Sequence, residues 1–319
     1  MKNNLFTGSE EKDIREMIDT MKEFLAKQYA DGKILRNFHP KMHGCLKGTL
    51  KIKKNIPEYL KQGLFKTEKN YDAWIRFSNA PPKIQADTRS SGRGLAIKVL
   101  EVNGPGMEPD PIGIATQNFL LTTSPILSAW NIRMYKKAMY AVLFGFFEQL
   151  KFALHPGHWR SIFLTLKHSK KHENLLSQTY FSGGAFRFGP DLFVKFVLQP
   201  LQSDLGYTLE VPKSDNFLKE QLKKDMEKNS PGFILGVQIH EDESRQPLEN
   251  TSIEWEAPFT PLAELFLPAQ NFDFPERVSF GEELEFSPWI GLLDHEPVGG
   301  INRARKLVYK EMAAFRKGL

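Results

Sequence analysis

Between residues 9 and 29, Ile14, Met17, Ile18, Met21, Leu25 and Gln28 recur at three- and four-residue intervals. That spacing predicts an amphipathic helix, with Thr7 or Ser9 as its cap. Gly32 and Pro40 then break the pattern. Runs rich in apolar, β-branched and aromatic residues follow at Leu46–Ile52, Ala73–Ser78, Leu95–Val102, Phe119–Thr122, Phe186–Leu198 and Phe233–His240. Ser252–Ala257 and Leu262–Leu267 are weaker strand candidates. Gly, Pro, Asn and Asp separate these runs. Residues 131–176 interrupt the strands with apolar positions at helical spacing, among them Tyr140, Leu143, Phe144, Phe147, Leu150 and Leu154. Residues 214–228 predict one more helix. Residues 301–316 predict the last one, and on it Arg305, Tyr309 and Arg316 fall on a single stripe.

Composition narrows this picture only modestly. In 319 residues, 41% hydrophobic with 25 Phe, there is enough apolar material for a sizeable core. A net charge of +5 makes no case for nucleic acid. A single Cys45 excludes an internal disulfide framework. The first thirty residues hold many charges and no apolar signal region, so a cytoplasmic protein is expected. The uncharged stretch Pro111–Ile132 is long enough to span a bilayer. Its Gln, Asn, Thr, Ser and Pro content marks it as buried strand plus loop. Residues 131–176 are strongly basic. They are read as a helix pair covering the strands, with a lipid chain or an anionic membrane surface as the alternative contact.

The chemistry-bearing residues cluster in five short motifs. They are Arg36-Asn-Phe-His39-Pro-Lys41, Arg76-Phe-Ser78, Arg93-Gly-Leu-Ala-Ile-Lys98, Arg305-x-x-x-Tyr309, and Arg316 seven residues later. In this order they resemble the haem catalases and their smaller catalase-related relatives, from about residue 30 onward. The resemblance implies an α+β fold of one domain over residues 1–319, with an antiparallel β-barrel core and peripheral helices. Residues 1–30 would form an arm, 131–176 an insertion, and 299–319 the helix carrying the proximal ligand. Haem b would sit at one end of the barrel. The end of the sequence ten residues past Tyr309 fits a member without the larger catalases' helical domain.

The resemblance also implies roles. Tyr309 would be the axial ligand to haem iron, its phenolate favoured by Arg305. Arg36, Arg76 and Arg316 would hold propionates, since a planar guanidinium binds a carboxylate in two places. His39, preferred over His43, would move the peroxide proton, and Ser78 would orient it. Arg76 and Ser78 share one strand face, so if one reaches the ligand both do. The family's distal amide corresponds to Thr116, Gln117 or Asn118, with the register open. Trp130 is a candidate to stack on the haem face. The expected activity is reduction of hydrogen peroxide or organic hydroperoxides with a small-molecule reductant. Alternatives on the same residues are fatty-acid hydroperoxide rearrangement of the allene-oxide-synthase type, or a haem carrier or sensor. The arm helix would fold back on the domain or cross to a second copy. His168 and His172, four apart, sit among lysines that oppose a cation, so no metal site is expected there.

Overall fold

The computed structural model describes residues 8–30, 32–201 and 214–318. In chain order the elements are α1 (Gly8–Gln28), β1 (Met42–Ile52), β2 (Asn70–Asn79), β3 (Arg93–Leu100), β4 (Thr116–Thr122), α2 (Ile132–Phe144), α3 (Phe146–Leu154) and α4 (Trp159–His168). They continue with β5 (Tyr180–Phe181), β6 (Ala185–Phe188), β7 (Leu192–Pro200), α5 (Phe217–Lys228), β8 (Gly232–Ile239), β9 (Phe259–Phe266), α6 (Pro275–Glu283), β10 (Pro297–Val298) and α7 (Gly300–Arg316).

Antiparallel pairing runs β1–β2–β3–β4–β5–β7–β8–β9 and returns from β9 to β1, which closes an eight-stranded barrel. Closure removes the unpaired edges that an open sheet would expose. β6 and β10 form a flap continuing from the edge of β7 that β5 also uses. Phe186–Leu198, expected as one strand, is two, because Gly189 (φ +68°) with Pro190 and Asp191 makes a three-residue hairpin loop. Ser252–Ala257 is a loop, and α6 had no counterpart in the periodicity. Ser9 lies inside α1, and Thr7 lies outside the described residues.

Alternation assigns the two faces of the sheet. Ala73, Ile75 and Phe77 of β2, Leu95, Ile97 and Val99 of β3, and Phe119 and Leu121 of β4 point into one buried cluster. Aromatic rings fill it. Phe196 lies 4.9 Å from Phe119 and 5.3 Å from Phe186, centroid to centroid, with Phe65, Phe188 and His295 close by. The barrel interior is therefore packed side chain rather than pore.

A second cluster lies outside the barrel. There α1 buries Ile14, Met17, Ile18, Met21, Phe24 and Leu25 against α2 and α7, so the arm folds back on its own chain. The start of α7 is fixed from several sides. Asn302 Nδ2 donates to the Ala185 and Val298 carbonyls at 2.8 and 3.0 Å, and Trp289 Nε1 donates to the Asn302 carbonyl at 2.8 Å. Arg303 pairs with Glu10 of α1 at 3.0 Å and with Glu249 at 2.8 Å. These ties set the angular position of every later residue on α7.

Replacing Phe196 by Ala removes the ring that others surround and leaves a void that closed strands cannot collapse into. The expected loss is about 3–5 kcal/mol, read as a lower urea midpoint with the slope unchanged.

Candidate functional site

One cavity of about 760 Å³ lies between the outer face of β2–β4 and helices α1, α2 and α7. Its strand residues come from one end of these strands, where Ser78, Gly94 and Thr122 stand in register. The outward positions of the strands reach it: Arg76 and Ser78, Gly94 and Ala96, Leu120 and Thr122. The barrel interior is filled by side chains, and this cavity lies between sheet and helices. Arg36, His39, Arg76, Ser78, Arg305, Tyr309 and Arg316 all line this cavity.

His39 follows α1 on an extended segment and has φ +60°, an uncommon conformation for a non-glycine residue. Three contacts enforce it. Its amide donates to the Ala80 carbonyl at 3.3 Å. Its carbonyl accepts both Nη1 and Nη2 of Arg76 at 3.2 Å. Its Nδ1 lies 3.0 Å from Ser78 Oγ. Among the described residues nothing engages Nε2, the nitrogen left for a ligand. Gly94 makes room for the ring: a Cβ there would stand 2.4 Å from His39 Nδ1 and Cε1 and 3.0 Å from Ser78 Oγ. Burial, then the charges of Arg76, Arg305 and Arg36, push the imidazole down to about 3. His39 is thus a neutral base across the physiological range.

His43 is elsewhere. Its Nε2 is 2.7 Å from Asn79 Oδ1, its ring lies beside Asp87, and burial pushes it down to about 4. Lys41, Arg93 and Lys98 of the same motifs hold loops: Lys41 pairs with Asp87 at 2.8 Å, Arg93 Nη2 donates to the Asp87 carbonyl at 2.9 Å, and Lys98 bonds Asp110.

Four guanidiniums surround the cavity, and their compensation is unequal. Arg36 pairs with Glu282 at 2.9 Å and donates to the Leu284 carbonyl at 2.5 Å, which ties it to the end of α6. Arg76 pairs with Glu282 at 3.2 Å, while its buried Nε has no partner. Arg316 makes no hydrogen bond or ion pair among the described residues. Burial and then the neighbouring arginines Arg76 and Arg316 hold Arg36 well below its ordinary value. Burial, with Arg76 also opposing, lowers Arg316. Arg305 donates to Asn302 Oδ1 at 3.1 Å and approaches Tyr309 Oη at 3.4 Å, long for a hydrogen bond. The remaining wall is largely apolar, with Met17, Met21, Leu25, Leu127 and Val308. A ligand with an apolar body and carboxylates at one end would suit both parts.

Comparison with solved structures finds the same architecture. A crystal structure of a fungal catalase superposes with a TM-score of 0.68 at 17% identity, over 92% of this chain and 62% of that one. Catalase A from Saccharomyces cerevisiae gives 0.70 at 16% identity over 92% and 63%, and a bacterial catalase 0.62 at 17% over 92% and 59%. The chain has the catalase fold. It spans about three fifths of the length of those catalases. A scan against protein-family models finds no match, and neither does a search of curated proteins.

Not every expected residue of the catalase-fold site reaches the cavity. Gln117 faces away: Oε1 accepts the Leu292 amide at 2.9 Å and Nε2 donates to the Asn118 carbonyl at 3.2 Å. Thr116 donates to Asp110 Oδ2 at 2.6 Å. Asn118 shares the outward face with Leu120 but does not line the cavity, and its buried Oδ1 and Nδ2 lack partners. Trp130 sits under the Arg160 guanidinium at 5.8 Å and does not line it either; Phe38 and Phe286 do. Tyr135 of α2 is a lining residue that sequence patterning missed. Burial, then the neighbouring Tyr309, pushes its phenol up to about 12, so it stays an O–H donor. Nothing in its spacing separates it from other aromatics in that block. Among the described residues no group of three or more His, Cys, Asp and Glu side chains is placed to hold a metal ion.

Gly94→Ala is expected to drive the imidazole off Ser78, seen as a changed His39 ring resonance with the overall fold intact. A pH dependence follows from His39, His43 and His295, which burial lowers to about 3, 4 and 3 from an ordinary value of 6.5. Below pH 6.5 the unfolded chain binds protons that the folded protein refuses, so stability is full above that pH and falls as the pH drops toward 4. Each histidine contributes a slope of about 1.4 kcal/mol per pH unit. Urea titrations of the ligand-free protein should show it, and His295→Gln should flatten it.

Proposed function

We propose that the protein is a haem-dependent hydroperoxidase. The observation that carries this reading is that a pinned neutral histidine, His39, and a tyrosine beside an arginine, Tyr309, line one cavity whose guanidiniums outnumber their protein carboxylates. The residues fit the group. Arg316 and the free Nε of Arg76 offer donors for propionates, with Arg36 beside them. The apolar wall suits the macrocycle, and Tyr309 would be the residue that holds the iron. Cys45 lies buried in β1 with its thiol pushed up to about 11 by burial, and it does not line the cavity, which favours haem b held without a covalent link.

When bound, haem would supply the iron at which the peroxide O–O bond is cleaved with two-electron oxidation of the cofactor. The chain's own residues manage the protons. With Nδ1 donated to Ser78, His39 Nε2 accepts a proton from the inner peroxide oxygen and returns it to the departing one. Arg305 offsets negative charge on the Tyr309 oxygen and so tempers its donation. A small-molecule reductant would restore the resting state. Thr116 and Gln117 are bonded elsewhere and Asn118 does not line the cavity, so none of the three residues expected to supply a distal amide joins His39; the amide that does line the cavity is Asn37, whose buried Oδ1 and Nδ2 lack partners. The absence of the expected amide favours peroxidase turnover over the oxidation of a second peroxide. The apolar wall under α1 supports a second reading on the same residues, rearrangement of a fatty-acid hydroperoxide, which product analysis would distinguish.

With haem reconstituted, Tyr309→Phe is expected to change the ferric optical spectrum, and His39→Ala to cut peroxide-dependent oxidation of an organic reductant by about 10²–10⁴-fold with the haem retained. An unchanged rate in His39→Ala would leave a haem carrier or sensor. Oxygen release from hydrogen peroxide should be slow beside reductant oxidation in the unmodified protein.

A further inference from the structure

Helices α3 and α4 are inside out. An ordinary surface helix turns its apolar stripe inward. On α3, Phe146, Phe147 and Leu154 are 72%, 75% and 73% exposed, and none of its nine residues is buried. On α4, Trp159, Phe163 and Leu166 are 60%, 65% and 69% exposed, and only Ser161 is buried. Within each helix these positions are separated by one, three, four, seven or eight residues, so they form one face. Trp159 Nε1 donates to the Ala153 carbonyl at 2.9 Å, which draws the start of α4 against the end of α3 and joins the two faces into a patch. Isolated exposed apolar residues need no explanation, but six large ones on two adjoining helices do.

The charge around the patch points to its occupant. Residues 131–176 carry eight Lys and Arg against two Glu, while the whole chain has an excess of only +5. The basic excess of the protein therefore lies entirely in this segment, and the remainder is close to neutral. Lys151, which pairs with Glu148, and Lys167 are exposed on the same two helices, and Lys170 and Lys171, also exposed, follow α4. A second copy of the same patch would bring these cations together, which opposes self-association. An anionic lipid surface would attract them while receiving the aromatic and aliphatic side chains. Trp159, with an apolar ring and a polar edge, suits the headgroup level. The helices have nine and ten residues, and among the described residues no helix is long and apolar enough to cross a membrane.

We propose that α3 and α4 form a monotopic docking face that seats the protein on an anionic lipid bilayer. The helices lie in the interface, Phe146, Phe147, Leu154, Phe163 and Leu166 enter the acyl boundary, and the lysines reach the headgroups. α2 connects this face to the cavity, because it carries Ile132 and Tyr135 into the cavity wall and runs through Gly145 (φ +87°) into α3.

The test is co-sedimentation of the full chain with vesicles of phosphatidylcholine, alone and with phosphatidylserine. The protein is expected to pellet with the anionic vesicles and to be released progressively by salt. Phe147→Asp with Phe163→Asp should weaken this by at least about tenfold, since each buries a charge where an aromatic entered. Both side chains are exposed, so the circular dichroism spectrum should not change. Quenching of tryptophan fluorescence by brominated acyl chains should fall in Trp159→Phe. No binding to anionic vesicles would overturn the proposal, as would full binding by the double variant, which would mean surface attraction without insertion. A lipid-free dimer that the double variant dissolves would overturn it too and assign the patch to a second copy. None of these outcomes depends on haem.

Discussion

A cavity of about 760 Å³ between a sheet and three helices is unfavourable to keep open, because surfaces that touch nothing lose both dispersion contacts and burial. Much of the specific bonding outside the barrel serves to maintain that separation. The barrel is closed and its interior filled, so it forms a rigid wall. On the far side, α7 cannot slide inward while Asn302 grips the β6–β10 flap and Arg303 is bonded to both Glu10 and Glu249. α1 roofs the gap with Met17, Met21 and Leu25 while its other apolar residues pack on α2 and α7. Wall, roof and opposing helix are each fixed by contacts outside the cavity, and that leaves the side chains inside it free to serve a ligand.

The charges inside show what kind of ligand balances the site. Glu282 answers both Arg36 and Arg76, while Arg316 forms no ion pair among the described residues and feels Glu285 and Glu282 only through space. Burying guanidiniums with too few counter-ions is costly, and the lowering of Arg36 by burial and then by Arg76 and Arg316, and of Arg316 by burial and then by Arg76, is the visible result. An anionic ligand would relieve that repulsion. The same field bears on His39. Three arginines and burial keep its imidazole neutral, and one of them, Arg76, also fixes the backbone turn that aims it. One group thus sets both the geometry and the electrostatics of the histidine.

What the sequence revealed and what it hid divide along contact range. Arg76 and Ser78 were readable as partners because a strand puts alternate residues on one face, and Arg305, Tyr309 and Arg316 because a helix does the same at its own period. The outer-face position of the cavity was not readable, since alternation tells that two faces differ but not which one closes into a barrel. Gly94 belonged to a motif, yet its reason, a histidine ring 2.4 Å from where a Cβ would stand, crosses more than fifty residues of chain. Glu282 lies on α6, whose apolar spacing is too weak to announce a helix. Gln117 was a candidate because the resemblance leaves the register of the distal amide open; one register step decides whether an amide faces the cavity or the Leu292 amide, and local pattern does not fix that step.

Residues 131–176 show the opposite error. Their helical periodicity was read correctly as far as His168, but periodicity defines an apolar face without saying what lies against it. α2 meets the expectation of a cover: Ile132, Met139 and Leu143 pack with α1 and α7. α3 and α4 do not, because after Gly145 the chain leaves the domain with its apolar side outward. The same pattern thus produced a buried helix and two exposed ones. Only burial distinguishes a helix that completes the core from one that reaches toward a different solvent, and the concentration of lysine beside the exposed faces matches an anionic solvent boundary rather than another protein surface of this chain.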